Sequence, residues 1–175
     1  MMKTNEEGIK MSERIVKRSD KIAFMDVGTD TVPDFQRMRK FTELSKSKNP
    51  TEYSRTYVDE DGEVTDVTGY SEEISYAFDQ YTDNPVHEKL ANISDNELTG
   101  NDAIVTILII DKTTKNSSDQ YTARKRKYSV VPDSEGDSTD AYTYSGSLRA
   151  NSSFEEVSAT LSDDGKTATI VASGE

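Results

Sequence analysis

Side chains that carry most enzymatic chemistry are scarce in this sequence. Among 175 residues there is one histidine and no cysteine or tryptophan. That removes thiol nucleophiles, disulfide frameworks and cysteine-based zinc sites from consideration. The histidine, His87, follows Asn84-Pro85, which reads as the N-cap and first position of a helix. A general base needs an acid or nucleophile held beside it, and no motif supplies one. His87 is therefore expected to be a solvated or hydrogen-bonded surface side chain. No serine occupies a Gly-x-Ser-x-Gly elbow, and the nine glycines are too scattered for a phosphate-cradling loop.

Two carboxylate-rich stretches invite a metal reading. Asp59-Glu60-Asp61-Gly62-Glu63 faintly resembles a calcium loop, but its glycine comes at the fourth place where an EF-hand has it at the sixth, and strand patterns flank it. Asp163-Asp164-Gly165-Lys166 is a hairpin signal. Both are read as turns, with no metal and no cofactor. Arg124-Lys125-Arg126-Lys127 is the one basic run, and a strand's period of two sends Arg124 and Arg126 to one face and Lys125 and Lys127 to the other. It makes no dense patch for nucleic acid and is read as pairing with the acidic block of a neighbouring subunit. Tyr53, Tyr57, Tyr142 and Tyr144 leave a second possibility, a sugar-stacking platform on a β-sandwich adhesin, although tryptophan normally leads at such platforms.

These residues sit on a chain of short strands. Lys21 to Val27 is apolar and stops at Gly28. Phe35 to Leu44 reads as one strand, with Phe35, Arg37, Arg39 and Phe41 on a face, and Ser45 to Thr51 as a polar loop. Tyr53, Arg55 and Tyr57 alternate with Ser54, Thr56 and Val58 in a further strand, and Gly69 marks a break. Ile74, Tyr76 and Phe78 give an inward face to a strand at about 72–80. Val86, Leu90 and Ile93 form one stripe of a helix ending near Asn96. Ala103 to Asp111, apolar on both faces, is the expected central strand. Gln120 to Val131 is a long strand broken at Pro132, with a polar loop from there to Asp140. Ala141 to Ala150, Phe154 to Leu161 and Thr167 to Val171 complete the pattern. The fold class is mainly β, a sandwich or barrel of about eight strands with one flanking helix.

Composition narrows the function. Leu, Ile, Val and Phe total 33 residues, about 19% of the chain, and the net charge is −12, close to the composition of disordered proteins. The thin apolar content suggests a subunit whose buried surface is completed by assembly. Charge falls in blocks: +3 over residues 1–57, −12 over 58–102, +4 over 103–132 and −7 over 133–175. Such blocks suit either a bipolar molecule that stacks head to tail or unevenly solvated loops. A pI near 4.6 argues against general nucleic-acid binding. The longest apolar stretch is too short to span a bilayer. Lys3, Glu6 and Glu7 leave no apolar region for a secretory signal, which fits synthesis in a cytosol.

From Asn49 the chain reads Asn-Pro-Thr-Glu-Tyr-Ser-Arg-Thr-Tyr-Val-Asp-Glu, followed by Val67-Thr68-Gly69-Tyr70-Ser71 and Ile74-Ser75-Tyr76-Ala77-Phe78-Asp79. In these residues, and in the order of its elements, it resembles the major tail, or tail tube, proteins of siphophages infecting Gram-positive bacteria; the specific part covers residues 35–111. The resemblance implies a structural virion protein, made in the bacterial cytoplasm, whose hexameric rings stack into a hollow tube that conducts DNA. A tube of a contractile injection system is the near alternative. The resemblance also implies an extended loop that reaches the adjacent ring, here about residues 45–70, with the N-terminal arm a second candidate; the polar residues 1–13 are read as that flexible arm, before a single domain at 14–175. The candidate inter-subunit contacts are Tyr53, Arg55, Tyr57, Asp59, Glu60, Arg124 and Arg126. Expected partners are further copies of the chain and tape measure, tail terminator and distal tail proteins, with DNA only as passing cargo and no membrane. An acidic lumen is typical of such proteins, and the carboxylates at 58–102 and near the C-terminus are its candidate source.

Overall fold

A computed structural model describes residues 13–172. The arm expected at residues 1–13 lies, apart from Glu13, outside them. The described chain forms β1 (Lys21–Asp26), β2 (Phe35–Arg37), β3 (Phe41–Ser47), β4 (Pro50–Thr56), β5 (Glu63–Tyr70), β6 (Glu73–Asp79), α1 (Pro85–Asp95), β7 (Ile104–Asp111), β8 (Tyr121–Glu135), β9 (Thr143–Ala150), β10 (Glu155–Leu161) and β11 (Thr167–Val171). The fold is mainly β with one helix, as the sequence leads one to expect, but three bodies share the strands.

The first is a closed barrel of six strands in the order β10-β11-β2-β1-β7-β8, sealed where Glu155 to Ala159 of β10 pair with Lys125 to Tyr121 of β8. Six strands enclose less space than the eight that side chains just fill. Every strand contributes to the plug: Ile22 and Phe24 from β1, Phe35 from β2, Leu108 and Ile110 from β7, and Ala123, Ala159 and Ala168 from β8, β10 and β11. The three alanines leave room for the fully buried Phe24 and Leu108. No conduit can run through this barrel.

The second body is a wing. Strand β8 is fifteen residues long and leaves the barrel past Ser129. There it pairs with β9, which pairs with β6, which pairs with β3. Ile74, Tyr76 and Phe78 of β6 and Tyr144 and Leu148 of β9 pack against Val86, Leu90 and Ile93 of α1, with Met25, Val105, Ile107 and Tyr128 closing the cluster from the barrel wall. Strand β7 is buried on both faces because Leu108 and Ile110 fill the barrel while Val105 and Ile107 face this second core.

Departures from the sequence reading have local causes. The strand expected over Phe35 to Leu44 is two strands. Lys40 adopts a left-handed φ of 62°, and the carbonyl of Arg39 accepts bonds from Asn84 Nδ2 at 3.3 Å and His87 Nε2 at 3.0 Å. The chain thereby passes from barrel to wing. Strand β8 does not stop at Pro132, which sits in a register shift opposite Gly146, where a residue without an N–H is tolerated. Nor does Gly69 break a strand; it lies in β5 beside a second shift, between Thr51 and Glu52.

Gly146 is required there. A Cβ on it would lie 2.5 Å from the carbonyl oxygen of Val131 and 2.8 Å from the Tyr76 hydroxyl. Gly146→Ala is expected to destabilise the chain by about 1–3 kcal/mol, the usual cost of overpacking, read as a lowered denaturant midpoint.

Candidate assembly interface

The third body is built from residues 48–72. Strands β4 and β5 pair only with each other. They continue β3 and β6 outward, so the expected loop at 45–70 is largely a two-stranded hairpin arm. With seven residues in β4, it extends about 20–25 Å. All of β4 is exposed, and so is β5 except for Gly69. Valine, tyrosine and threonine suit strands, yet nothing among the described residues covers them. Paired register puts Tyr53 opposite Asp66 and Arg55 opposite Val64 on one face, and Glu52 opposite Val67 and Ser54 opposite Thr65 on the other. Arg55 donates to the Tyr53 hydroxyl at 3.1 Å, and the Ser54 and Thr65 hydroxyls lie 2.8 Å apart. Tyr53, Tyr57, Val58, Val67 and Tyr70 are all large and exposed, an arrangement characteristic of interaction surfaces. Asp59 and Glu60 lie in the turn at the tip, where the Glu60 N–H bonds the Tyr57 carbonyl at 3.1 Å.

Arg124 and Arg126 lie in the part of β8 that the barrel shares, off the arm itself, with Arg126 reaching its root. Arg124 stacks over the Phe154 ring at 5.3 Å, and Lys125 pairs with Glu155 at 3.1 Å. Arg126 donates to the Ser152 carbonyl at 2.6 Å and lies 3.5 Å from Glu72. Within one chain Arg124, Lys125 and Arg126 thus have partners already.

The four tyrosines of the adhesin reading form no single platform. Tyr53 and Tyr57 are on the arm. Tyr142 and Tyr144 meet edge to face at 5.4 Å at the end of the wing away from the arm's root, where Tyr142 is exposed and Tyr144 is buried, paired with Phe78, its hydroxyl donating to Asp95 at 3.0 Å.

His87 is not at the surface: it is fully buried. Asn84 caps α1 by accepting the His87 N–H at 3.3 Å, which turns the imidazole inward onto the Phe78 ring, 4.2 Å away. Its Nδ1 accepts the Tyr81 N–H at 3.1 Å, so Nε2 carries the proton donated to Arg39. Burial lowers its pKa below the ordinary value of 6.5. Folding therefore favours the neutral ring. Its contribution to stability is complete above pH 6.5 and lost as the pH falls toward the depressed folded value. Chemical denaturation at pH 7 and pH 5 is expected to show a loss of stability that is smaller in His87→Gln.

At the arm's root is a residue the sequence reading passed over. Glu72 is 4% exposed, yet three cations converge on it: Lys48 at 2.5 Å, Lys46 at 3.1 Å and Arg126 at 3.5 Å. The Tyr128 hydroxyl donates to the oxygen that Lys46 faces, and Lys48 and Arg126 share the other. Burial alone raises a carboxyl pKa, but the hydrogen bonds from Lys48 and Tyr128 and the charge of Lys46 outweigh it and hold Glu72 at about 2. No periodicity marks this position; only the folded chain brings strands β3 and β8 to it.

Among the described residues two surfaces of the wing are left open. Its face away from α1 carries the rows Ser47–Glu73–Arg149–Ser129, Ser45–Ser75–Ser147–Val131 and Glu43–Ala77–Ser145–Ser134, since residues directly opposite share a face. It is hydroxyl-rich, without aromatics, and weakly acidic. Its margins are the outer edge of β3, which pairs only with β6, and β8 beyond Ser129, which pairs only with β9. Arg18 covers part of the β3 edge, donating to the Leu44 carbonyl at 3.1 Å and the Lys21 carbonyl at 2.7 Å. Among the described residues no cluster of three or more side chains could hold a metal ion, and no helix is long and apolar enough to cross a membrane.

Neither a protein-family profile nor a curated protein sequence matches this chain. Solved structures do. The SPP1 tail tube superposes with a TM-score of 0.62 at 11% identity, over 81% of this chain and 78% of that one. The tail of an empty GTA particle, refined helically with C6 symmetry, gives 0.57 at 12% identity over 81% and 98%. The virion of a native gene transfer agent gives 0.56 at 13% over the same shares. At these identities the likeness is one of fold, shared with the SPP1 tail tube and the GTA tail.

Proposed function

We propose that this chain is a tail-tube subunit, the major tail protein of a siphophage infecting Gram-positive bacteria. It forms six-membered rings that stack into a hollow conduit for DNA and catalyses no reaction. The observation that carries this reading is the pairing, on a tail-tube fold, of an uncovered hairpin arm with a wing whose sheet has two open margins. An open sheet edge is a template for another strand, and a closed ring removes it. The C6 symmetry of the GTA tail supports six copies, and the sequence resemblance over residues 35–111 supports the virion setting. Residues 14–175 act as one assembling unit. The other partners are tape measure, terminator and distal tail proteins.

In this reading the wing's serine-rich face lines the channel. Glu43 and Glu73 against Arg149 leave it net negative, so phosphates are weakly repelled and DNA slides. A lysine-rich wall would hold it in a salt-dependent way. The arm crosses to the next ring and presents Tyr53, Arg55 and Tyr57, with Asp59 and Glu60 at its tip; Arg124 and Arg126 are assigned to contacts between neighbours in addition to their partners within the chain.

Negative-stain electron microscopy of concentrated protein, alone and with initiator proteins, tests this: rings or tubes are expected, and single particles throughout would reject it. Arg55→Glu is expected to lower tube yield while changing the stability of the unassembled chain by no more than about 0.5 kcal/mol, as for other exposed sites. Equal yield from the variant would reject that role for Arg55.

A further inference from the structure

We propose that Glu72 is the positioning residue of the arm, fixing the direction in which the β4–β5 hairpin leaves the body. The inference rests on the arm's proposed role in joining copies. Among the described residues the arm has no packed face: its strands pair only with each other, and the two segments entering it pass through Lys48-Asn49 and Ser71-Glu72. Asn49 has a left-handed φ of 45°, and its amide donates to the Ser71 carbonyl at 3.0 Å while the Ser71 N–H bonds the Asn49 carbonyl at 3.1 Å. These bonds tie one strand of the arm to the other. They do not tie the arm to the body.

Glu72 supplies that second connection. One carboxylate oxygen faces Lys48, on the entering strand, and Arg126, on the barrel strand; the other faces Lys46 and the Tyr128 hydroxyl. Arg126 is itself held by the Ser152 carbonyl at 2.6 Å, and Tyr128 is 2% exposed within the core. Arg126 and Tyr128 are thus held by the body, while Lys48 sits where the chain enters the arm. A buried carboxylate bridging the two converts a bend into a fixed angle. With the charge removed, three cations face each other around a neutral group and the root opens. An arm some seven residues long turns a small change of angle at the root into a displacement of its tip large enough to miss a partner surface.

Because the sequence has no cysteine, spin labels can be placed uniquely at Asp61→Cys on the tip and Glu88→Cys on α1, and the distance distribution measured by pulsed electron resonance on the isolated chain. The unsubstituted root is expected to give one narrow peak. Glu72→Gln is expected to lose it, and Lys48→Met, whose side chain is mostly exposed and whose loss spares the core, is expected to broaden it with no fall in melting temperature. A broad distribution in the unsubstituted chain overturns the proposal, as does a narrow peak kept in Glu72→Gln, even if that variant melts earlier. Should Glu72→Gln fail to fold, a narrow peak in Lys48→Met overturns it. Since the labels are read without assembly, an absence of tubes in the unsubstituted protein counts against the tube reading alone.

Discussion

Replacing residues 49–71 by Asn-Gly is expected to leave a folded chain that no longer assembles. The cut is chosen from the register. Lys48 and Glu72 flank it, and the pairing Ser47↔Glu73 in β3 and β6 places them directly opposite, so a two-residue turn can join them without twisting the wing. Asn-Gly suits the primed turns that match strand twist. Nothing in either core is lost, because no residue of the arm belongs to a buried cluster. Shortening a connection by some twenty residues also lowers the entropy of the unfolded chain slightly, which favours folding. Thermal melting of the body should therefore remain cooperative and within a few degrees of the parent. Assembly should fall by about a hundredfold or more in the concentration required, since arms that bridge rings and bury several large side chains contribute well over 3 kcal/mol per contact. Tubes formed at the parental concentration would show that the arm is not the bridge.

Phe24→Ala is expected to have the opposite profile. Phe24 is fully buried in the barrel plug, opposite Leu108 across β1 and β7 and in one buried cluster with Ala123, Ala159 and Ala168. Those alanines are too small to close over the space vacated, and the sealed ladder of six strands resists collapse. A loss of about 3–5 kcal/mol follows, at the level seen for large-to-small changes of buried aromatics. A domain of this size has a total stability on the order of 5–15 kcal/mol, so the variant should unfold at a much lower denaturant midpoint with an unchanged slope. A loss below about 1 kcal/mol would contradict a filled barrel. Together the two variants separate what holds one copy from what joins copies.

Much of the fold is legible in the sequence where a single periodicity governs. Ile74, Tyr76 and Phe78 alternate and are buried against α1. Asn84-Pro85 caps that helix, and the stripe of Val86, Leu90 and Ile93 faces the core. Gly165, at φ 68°, closes the hairpin read from Asp163-Asp164-Gly165-Lys166. What escaped depends on long-range contacts. The bend that splits Phe35 to Leu44 is held by Asn84 and His87, forty-five and forty-eight residues away from Arg39. The same contact buries His87, which a surface helix position would not. Pro132 and Gly69 mislead because register shifts absorb them inside strands. Low apolar content also has a different distribution from the one composition implies: the body has two well-filled cores, and the shortage falls on the arm and the polar face of the wing. Of the proposed interface, the alternation of Tyr53, Arg55 and Tyr57 is visible in sequence, whereas Glu72 is one carboxylate among thirteen in its block until the fold surrounds it with cations.

The claim that copies complete one another is tested most directly by a cryo-electron microscopy map of the concentrated protein. Six-fold hollow tubes are expected, in which the wings join edge to edge around the channel, the rows through Ser45, Ser75 and Ser147 face inward, and each arm crosses a ring boundary. Particles that remain single at every concentration, or tubes whose arms lie free in solvent with the serine rows outside, would contradict it.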